Sequence, residues 1–191
     1  HVAYCLESVK SSPPSSDYVA NIFESNLALQ KVLYYGYGGP GDITDSYMPG
    51  FDWKLKYIFT HIAASYAYCG TDGFYGCTFE NIQSSGLWDY IQYLNGLEAP
   101  PKAAIDLSPT SAAAYESNGE QRTKEFHLKG DHRNYIALNL PENVTYHSGD
   151  ATKTGSVKIP GGTKFYFSAP MTVTGTWNSG SLAGQMGTQW K

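Results

Sequence analysis

Three cysteines and two late glutamines carry the reactive chemistry of this 191-residue chain. Cys69 and Cys77 stand at the two ends of CGTDGFYGC. A loop with three glycines can close into a small disulfide ring, which implies an oxidising compartment. The alternative is a pair of reduced, partly buried thiols, since metal ligation lacks a matching Cys/His pair nearby. If Cys69 and Cys77 pair, Cys5 in HVAYCLES is left over, and a leftover thiol in an exported protein calls for a role. It packs as a small hydrophobe; or it is the nucleophile of a cysteine hydrolase, needing a histidine base and an orienting carboxylate or amide. Of His1, His61, His127, His132 and His147, only His127 and His147 lie in strand-like runs, and neither carries a signature. A metal site lacks a ligand cluster of suitable spacing. In the fourth reading the Cys5 thiolate attacks the side-chain amide of a glutamine, expels ammonia and leaves an internal thioester. SLAGQMGTQWK offers Gln185 and Gln189 for that bond.

Such a bond needs its two side chains held by rigid elements with water kept away. Periodicity divides the chain into zones that supply them. HVAYCLES reads as a short strand, followed by the Ser/Pro loop KSSPPSSD. Helical spacing dominates about residues 20–98. SNLALQKVLYYG has Ser25 as cap and Gly36 as stop. DWKLKYIFTHIAASYAYCG is capped by Asp52 and stopped by Gly70, with an expected apolar stripe of Leu55, Ile58, Ile62, Ser65, Tyr66 and Cys69. SSGLWDYIQYLNG is a third helix. The linker EAPPK follows, and from residue 103 the period changes. KEFHLKG, NYIALNLP, NVTYHSG, GSVKIPG, TKFYFSAP and MTVTGTW are short alternating runs broken by Gly, Pro or Asn, the pattern of a β-sandwich or barrel. The expectation is a single α+β domain over residues 1–191. Its sheet is closed by the first and last strands, and the helical block is inserted between them.

Composition limits the function classes. Only 16% of residues are charged and the formal net charge is −4, so the chain lacks the basic surplus that grips a phosphate backbone and nucleic acid is not an expected partner. No apolar run is long enough to span a bilayer, and the first residues do not read as a signal peptide. YYGYGGPG follows a helix and lacks a preceding strand and a Lys-Ser/Thr pair, so it is not a phosphate loop; its tyrosines read as packing. Sixteen tyrosines alongside 20 glycines suit a secreted β-rich binding protein.

On composition alone a packed Cys5 is the first reading. AYCLES, LQKVLYYGYGGPG and THIAASYAY, in that order and ahead of a strand-rich tail, shift it. Together they resemble the thioester domain of Gram-positive surface adhesins, over Tyr4 to Tyr68 by motif and beyond that by order of elements. In that family a Tyr-Cys-apolar motif opens the domain, a Thr-Gln-x-Ala-apolar-Trp motif lies on a helix, and a glutamine on the closing strand acylates the cysteine. This chain departs from the pattern with Thr60-His61 in place of Thr-Gln. The resemblance implies a Cys5 thioester with Gln189 or Gln185, or with a donor beyond Lys191. Gln189 is the choice, for its strand-favouring neighbours Thr188 and Trp190. Tyr4 would shield the bond or hydrogen-bond its carbonyl, if it is not simply a packed aromatic. His61 would hydrogen-bond that carbonyl or take a proton from an attacking amine, if it is not simply satisfied by a backbone or tyrosine partner. The implied function is a single-turnover, monomeric adhesin module rather than an enzyme. It needs no cofactor, touches no membrane, and reacts with a lysine amine on a host or neighbouring-cell surface protein. Its implied place is the outside of a Gram-positive cell, anchored to the wall. A carbohydrate- or peptide-binding β-sandwich and a cysteine peptidase or amidase are the competing functions.

Overall fold

The computed structural model of the protein describes residues 2–7 and 26–187. Where the sequence predicts one domain, the chain divides into two compact units, with the break between Pro100 and Pro101 inside the EAPPK linker.

The first unit is helical. Ser25, the expected cap, lies outside the described residues; Asn26 caps α1 (Leu27–Tyr35), its Oδ1 accepting from Leu29 N at 2.9 Å, and Gly36 ends it. A one-turn helix, α2 (Thr44–Tyr47), precedes the long α3 (Trp53–Cys69). Asp52 caps α3 by accepting from Leu55 N at 2.9 Å, and Gly70 stops it at φ 67°, a left-handed position suited to glycine. Two shorter helices follow, α4 (Phe79–Ser84) and α5 (Leu87–Gly96). Leu29, Val32, Phe74, Ile82, Tyr90, Ile91 and Leu94 form the core with Ala63 and Ala64 of α3. The buried face of α3 keeps Ser65 of the expected stripe, with Ile62 and Tyr66 packed beside it. Its buried residues are Thr60, Ala63, Ala64 and Ser65, whereas Leu55 and Ile58 are exposed. Small side chains let α3 pack closely against its neighbours, and that steric fit outranks hydropathy along this helix.

The second unit is a β-sandwich. Its strands are β1 (Ile105–Ser108), β2 (Ala114–Ser117), β3 (Glu120–Thr123), β4 (Phe126–Gly130), β5 (Tyr135–Asn139), β6 (Thr145–Ser148), β7 (Ala151–Lys153), β8 (Ser156–Pro160) and β9 (Thr163–Pro170). All pairings are antiparallel. β9 is the hub: it pairs with β4, β3 and β6, while β5 and β8 form a separate two-stranded sheet. Alternation puts Val157, Ile159, Ile136 and Leu138 inward against Phe126, Leu128, Tyr146, Phe165 and Phe167. Five of the six expected runs are strands; MTVTGTW is not. The α+β class holds, and the sheet closure does not follow the expected route. Val2–Glu7 forms no strand and instead lies along α3, where its polar groups find side-chain rather than ladder partners.

Candidate functional site

Cys5 is exposed, and the short segment that carries it is held at almost every residue. Val2 packs against Gly38, where any Cβ would come within 2.5 Å of the Val2 side chain. The Ala3 carbonyl accepts from the Tyr57 hydroxyl at 3.3 Å. Tyr4 stacks on Tyr57, ring centroids 5.3 Å apart, and its hydroxyl donates to the Tyr37 carbonyl. The Leu6 side chain packs on the helical core, and its carbonyl accepts from the Cys69 thiol at 3.5 Å.

The Cys5 carbonyl is the most heavily bonded atom of the segment. It accepts from Ser65 Oγ at 3.0 Å and from the Tyr75 hydroxyl at 3.1 Å, and His61 Nε2 lies 2.7 Å away. His61 Nε2 is also 2.8 Å from the Tyr75 hydroxyl, which is 3.2 Å from Ser65 Oγ. A carbonyl oxygen only accepts, so at 2.7 Å Nε2 carries a proton and donates it; an unprotonated nitrogen would set two lone pairs against each other. His61 and Ser65 stand one helical turn apart on α3, so both reach one atom because of the four-residue repeat. Thr60, next to His61, turns into the core and accepts from Tyr37 N at 3.0 Å, fixing the turn that receives Tyr4. Burial, with neighbouring Tyr90, Tyr57 and Asp42, pushes the Tyr4 phenol well above its usual range, so it remains a neutral donor.

His61 and Tyr4 both lie beside the Cys5 segment, with His61 bound to the backbone carbonyl and to a tyrosine. Ser65 and Tyr75 were not legible as site residues. Ser65 belongs to the expected stripe, and Tyr75 sits in the loop assigned to a disulfide. That disulfide is absent from the structure: Cys69 and Cys77 are unbonded. Cys69 turns its thiol onto the carbonyls of Ser65, at 3.1 Å, and Leu6, at 3.5 Å. Gln185 is exposed in the β unit, its backbone bridged to Tyr135 in both directions at 2.9 and 2.8 Å. Gln189 and His1 lie outside the described residues. The Cys5 thiol makes a weak contact with the Glu7 carbonyl at 3.7 Å, and among the described residues no histidine nitrogen bonds it. His147, the strand histidine with a defined partner, is bonded to Ser168 Oγ at 2.8 Å. The geometry therefore presents an exposed thiol on a backbone segment held by α3 and the turn after it.

The fold agrees with comparisons to known proteins. A family model described as "Thioester domain" matches residues 1–101, and one described as "TED associated beta sandwich domain" matches residues 106–186, so the two matches meet at the break between the units. Among solved structures, the chain is similar to the Bacillus anthracis TIE protein at 17% identity and TM-score 0.50, over 89% of this chain and 32% of that one. It is also similar to the thioester domain of the Enterococcus faecium TIE86 protein, at 12% identity and TM-score 0.31, over 76% of this chain and 55% of that one. The chain thus spans about a third of the first and about half of the second. At 17% identity the likeness to the first concerns the fold alone. No curated protein matches the chain.

Proposed function

This chain belongs to the thioester domain family, and we propose that Cys5 forms an internal thioester through which it attaches covalently to a partner protein. The Cys5 thiolate attacks the side-chain carbonyl carbon of a glutamine; the C–N bond breaks, and ammonia leaves with the thiol proton. The acyl donor is Gln189, with Gln185 the second choice. A lysine amine on a host or neighbouring-cell surface protein then attacks that carbonyl carbon. The C–S bond breaks, the Cys5 thiol regains a proton from the amine, and an amide joins the two proteins. Each molecule reacts once, so the module binds rather than turns over, and no cofactor takes part. Its setting is the surface of a Gram-positive bacterium, with wall anchoring supplied outside this domain. Among the described residues no helix is long and apolar enough to cross a membrane.

The observation that carries this reading is an exposed thiol on a segment whose Ala3, Cys5 and Leu6 carbonyls are all taken by α3 or the turn after it. Holding a nucleophile in place makes an otherwise unfavourable attack on an amide effectively intramolecular. Intact mass tests it. The expected result is a deficit of one ammonia relative to the sequence, lost on treatment with methylamine as one free thiol appears. A mass equal to the sequence, unchanged by methylamine, would reject the thioester and leave a packed cysteine.

A further inference from the structure

Tyr75 occupies a backbone conformation that its residue type disfavours. Its φ is 55° and ψ 37°, left-handed, and the residue is 42% exposed, so core packing does not explain the geometry. A bulky non-glycine residue is sterically disfavoured there. Strain of this kind persists where the surrounding structure enforces it, and it collects at functional sites.

The enforcement is visible in the residues before it. The 3₁₀ turn Gly70–Phe74 lies flat on α3: a Cβ on Gly73 would fall 2.4 Å from the Ser65 carbonyl carbon and 2.5 Å from Tyr66 N. Phe74 is buried and stacks on Tyr66 with centroids 5.0 Å apart. Gly73 and Phe74 thus seat the turn on the helix, and the left-handed residue that follows swings the Tyr75 hydroxyl onto the Cys5 carbonyl. Proton counting shows what it adds. The carbonyl has two lone pairs and three donors within reach, so His61 Nε2–H, Ser65 Oγ–H and the Tyr75 hydroxyl share it. Tyr75 is within reach of all three atoms, at 3.1, 2.8 and 3.2 Å, so it braces the two α3 donors as well as the carbonyl.

We infer that the Gly70–Cys77 turn is a positioning element for Cys5, with Tyr75 closing a clamp on the Cys5 peptide that sets how completely the acyl bond forms. The inference rests on the thioester reading above. Loss of one neutral hydrogen bond corresponds to about 1 kcal/mol, or roughly a fivefold shift in the equilibrium it supports.

The test is the ratio of molecules with the ammonia deficit to those without, read by intact mass in freshly purified protein, alongside thermal melting. Tyr75→Phe removes only the hydroxyl; Tyr75→Gly also relieves the backbone strain. Both should melt close to wild type while that ratio falls about fivefold. His61→Gln keeps an N–H donor and should stay near wild type, whereas His61→Ala should fall. If both Tyr75 variants match a wild type that carries the deficit, the clamp is overturned and the thioester stands. If His61→Gln falls as far as His61→Ala, the donor role is overturned. A wild type without the deficit overturns the thioester and the clamp together.

Discussion

Thr60 and Tyr90 meet hydroxyl to hydroxyl at 3.1 Å in the centre of the helical unit, both fully buried. Thr60 simultaneously accepts from Tyr37 N, so one threonine on α3 satisfies a tyrosine from α5 and the turn after α1. Burial pushes the Tyr90 phenol well above its usual range, so it stays neutral and needs a partner.

Removing that threonine hydroxyl should therefore cost more than its own bond. Thr60→Val preserves shape and leaves the buried Tyr90 OH and the part-buried Tyr37 N without their partner, for about 2–3 kcal/mol of lost stability. Tyr90→Phe should cost about 1 kcal/mol, because Thr60 keeps its bond to Tyr37. The double variant should lose less than the sum, since no orphaned phenol remains. Urea denaturation of the four proteins checks this; strict additivity would mean the hydroxyls are not coupled.

The caps and stops of α3 and the β-run spacing were legible in the sequence, because each is a local property. Asp52 and Gly70 act within one turn of their own positions. What was hidden depends on partners distant in sequence. The buried face of α3 is chosen by the fit of Ala63 and Ala64 against other helices, a choice that hydropathy at Leu55 and Ile58 misstates. The same holds for Cys5, which reads as a strand residue until α3 supplies side-chain donors to the segment around it. Tyr75 was concealed by its loop: two cysteines around three glycines suggest a disulfide, whereas Gly73 serves close approach and Gly70 and Gly76 serve left-handed backbone.

The unbonded pair Cys69 and Cys77 should differ in reactivity. Partial burial pushes the Cys69 thiol up, with Asp72 and Glu7 adding to it, and its Sγ is engaged by two carbonyls. Less thiolate means slower alkylation. Cys77, which is exposed, should react with iodoacetamide about tenfold faster at pH 8. Peptide mapping of partial alkylation reads the order directly, and equal rates would show that the Cys69 contacts give no protection.

Acid should weaken the β unit through Asp131. Its two carboxylate oxygens accept from Arg133 N, Nε and Nη2 at 2.9, 2.8 and 2.7 Å, and the Arg133 bonds hold its carboxyl down at about 2. A carboxyl depressed in the folded state stabilises at pH above its unfolded value, near 4, and that contribution is lost as pH falls through about 2. Asp131→Asn should lower stability by about 1–2 kcal/mol at pH 7. In urea titrations at several pH values its gap from wild type should close between pH 4 and 2. A gap that persists at pH 2 would assign the effect to shape rather than charge.

The acyl donor is decided by two glutamine substitutions. Gln185 is exposed and held by a single bridge to Tyr135, with Gly184 pressed so closely on Ile105 that a Cβ would lie 2.4 Å from its Cδ1. A thioester must be kept from water until an amine arrives, and an exposed side chain between glycines gives poor shelter. Gln189, between Thr188 and Trp190, has flanks that favour a rigid strand. Gln189→Ala should therefore abolish the ammonia deficit and the reaction with methylamine, as Cys5→Ala should, while Gln185→Ala keeps both. Loss of the deficit in Gln185→Ala with its retention in Gln189→Ala would reverse the assignment. Retention in both would place the acyl group on another glutamine or beyond Lys191.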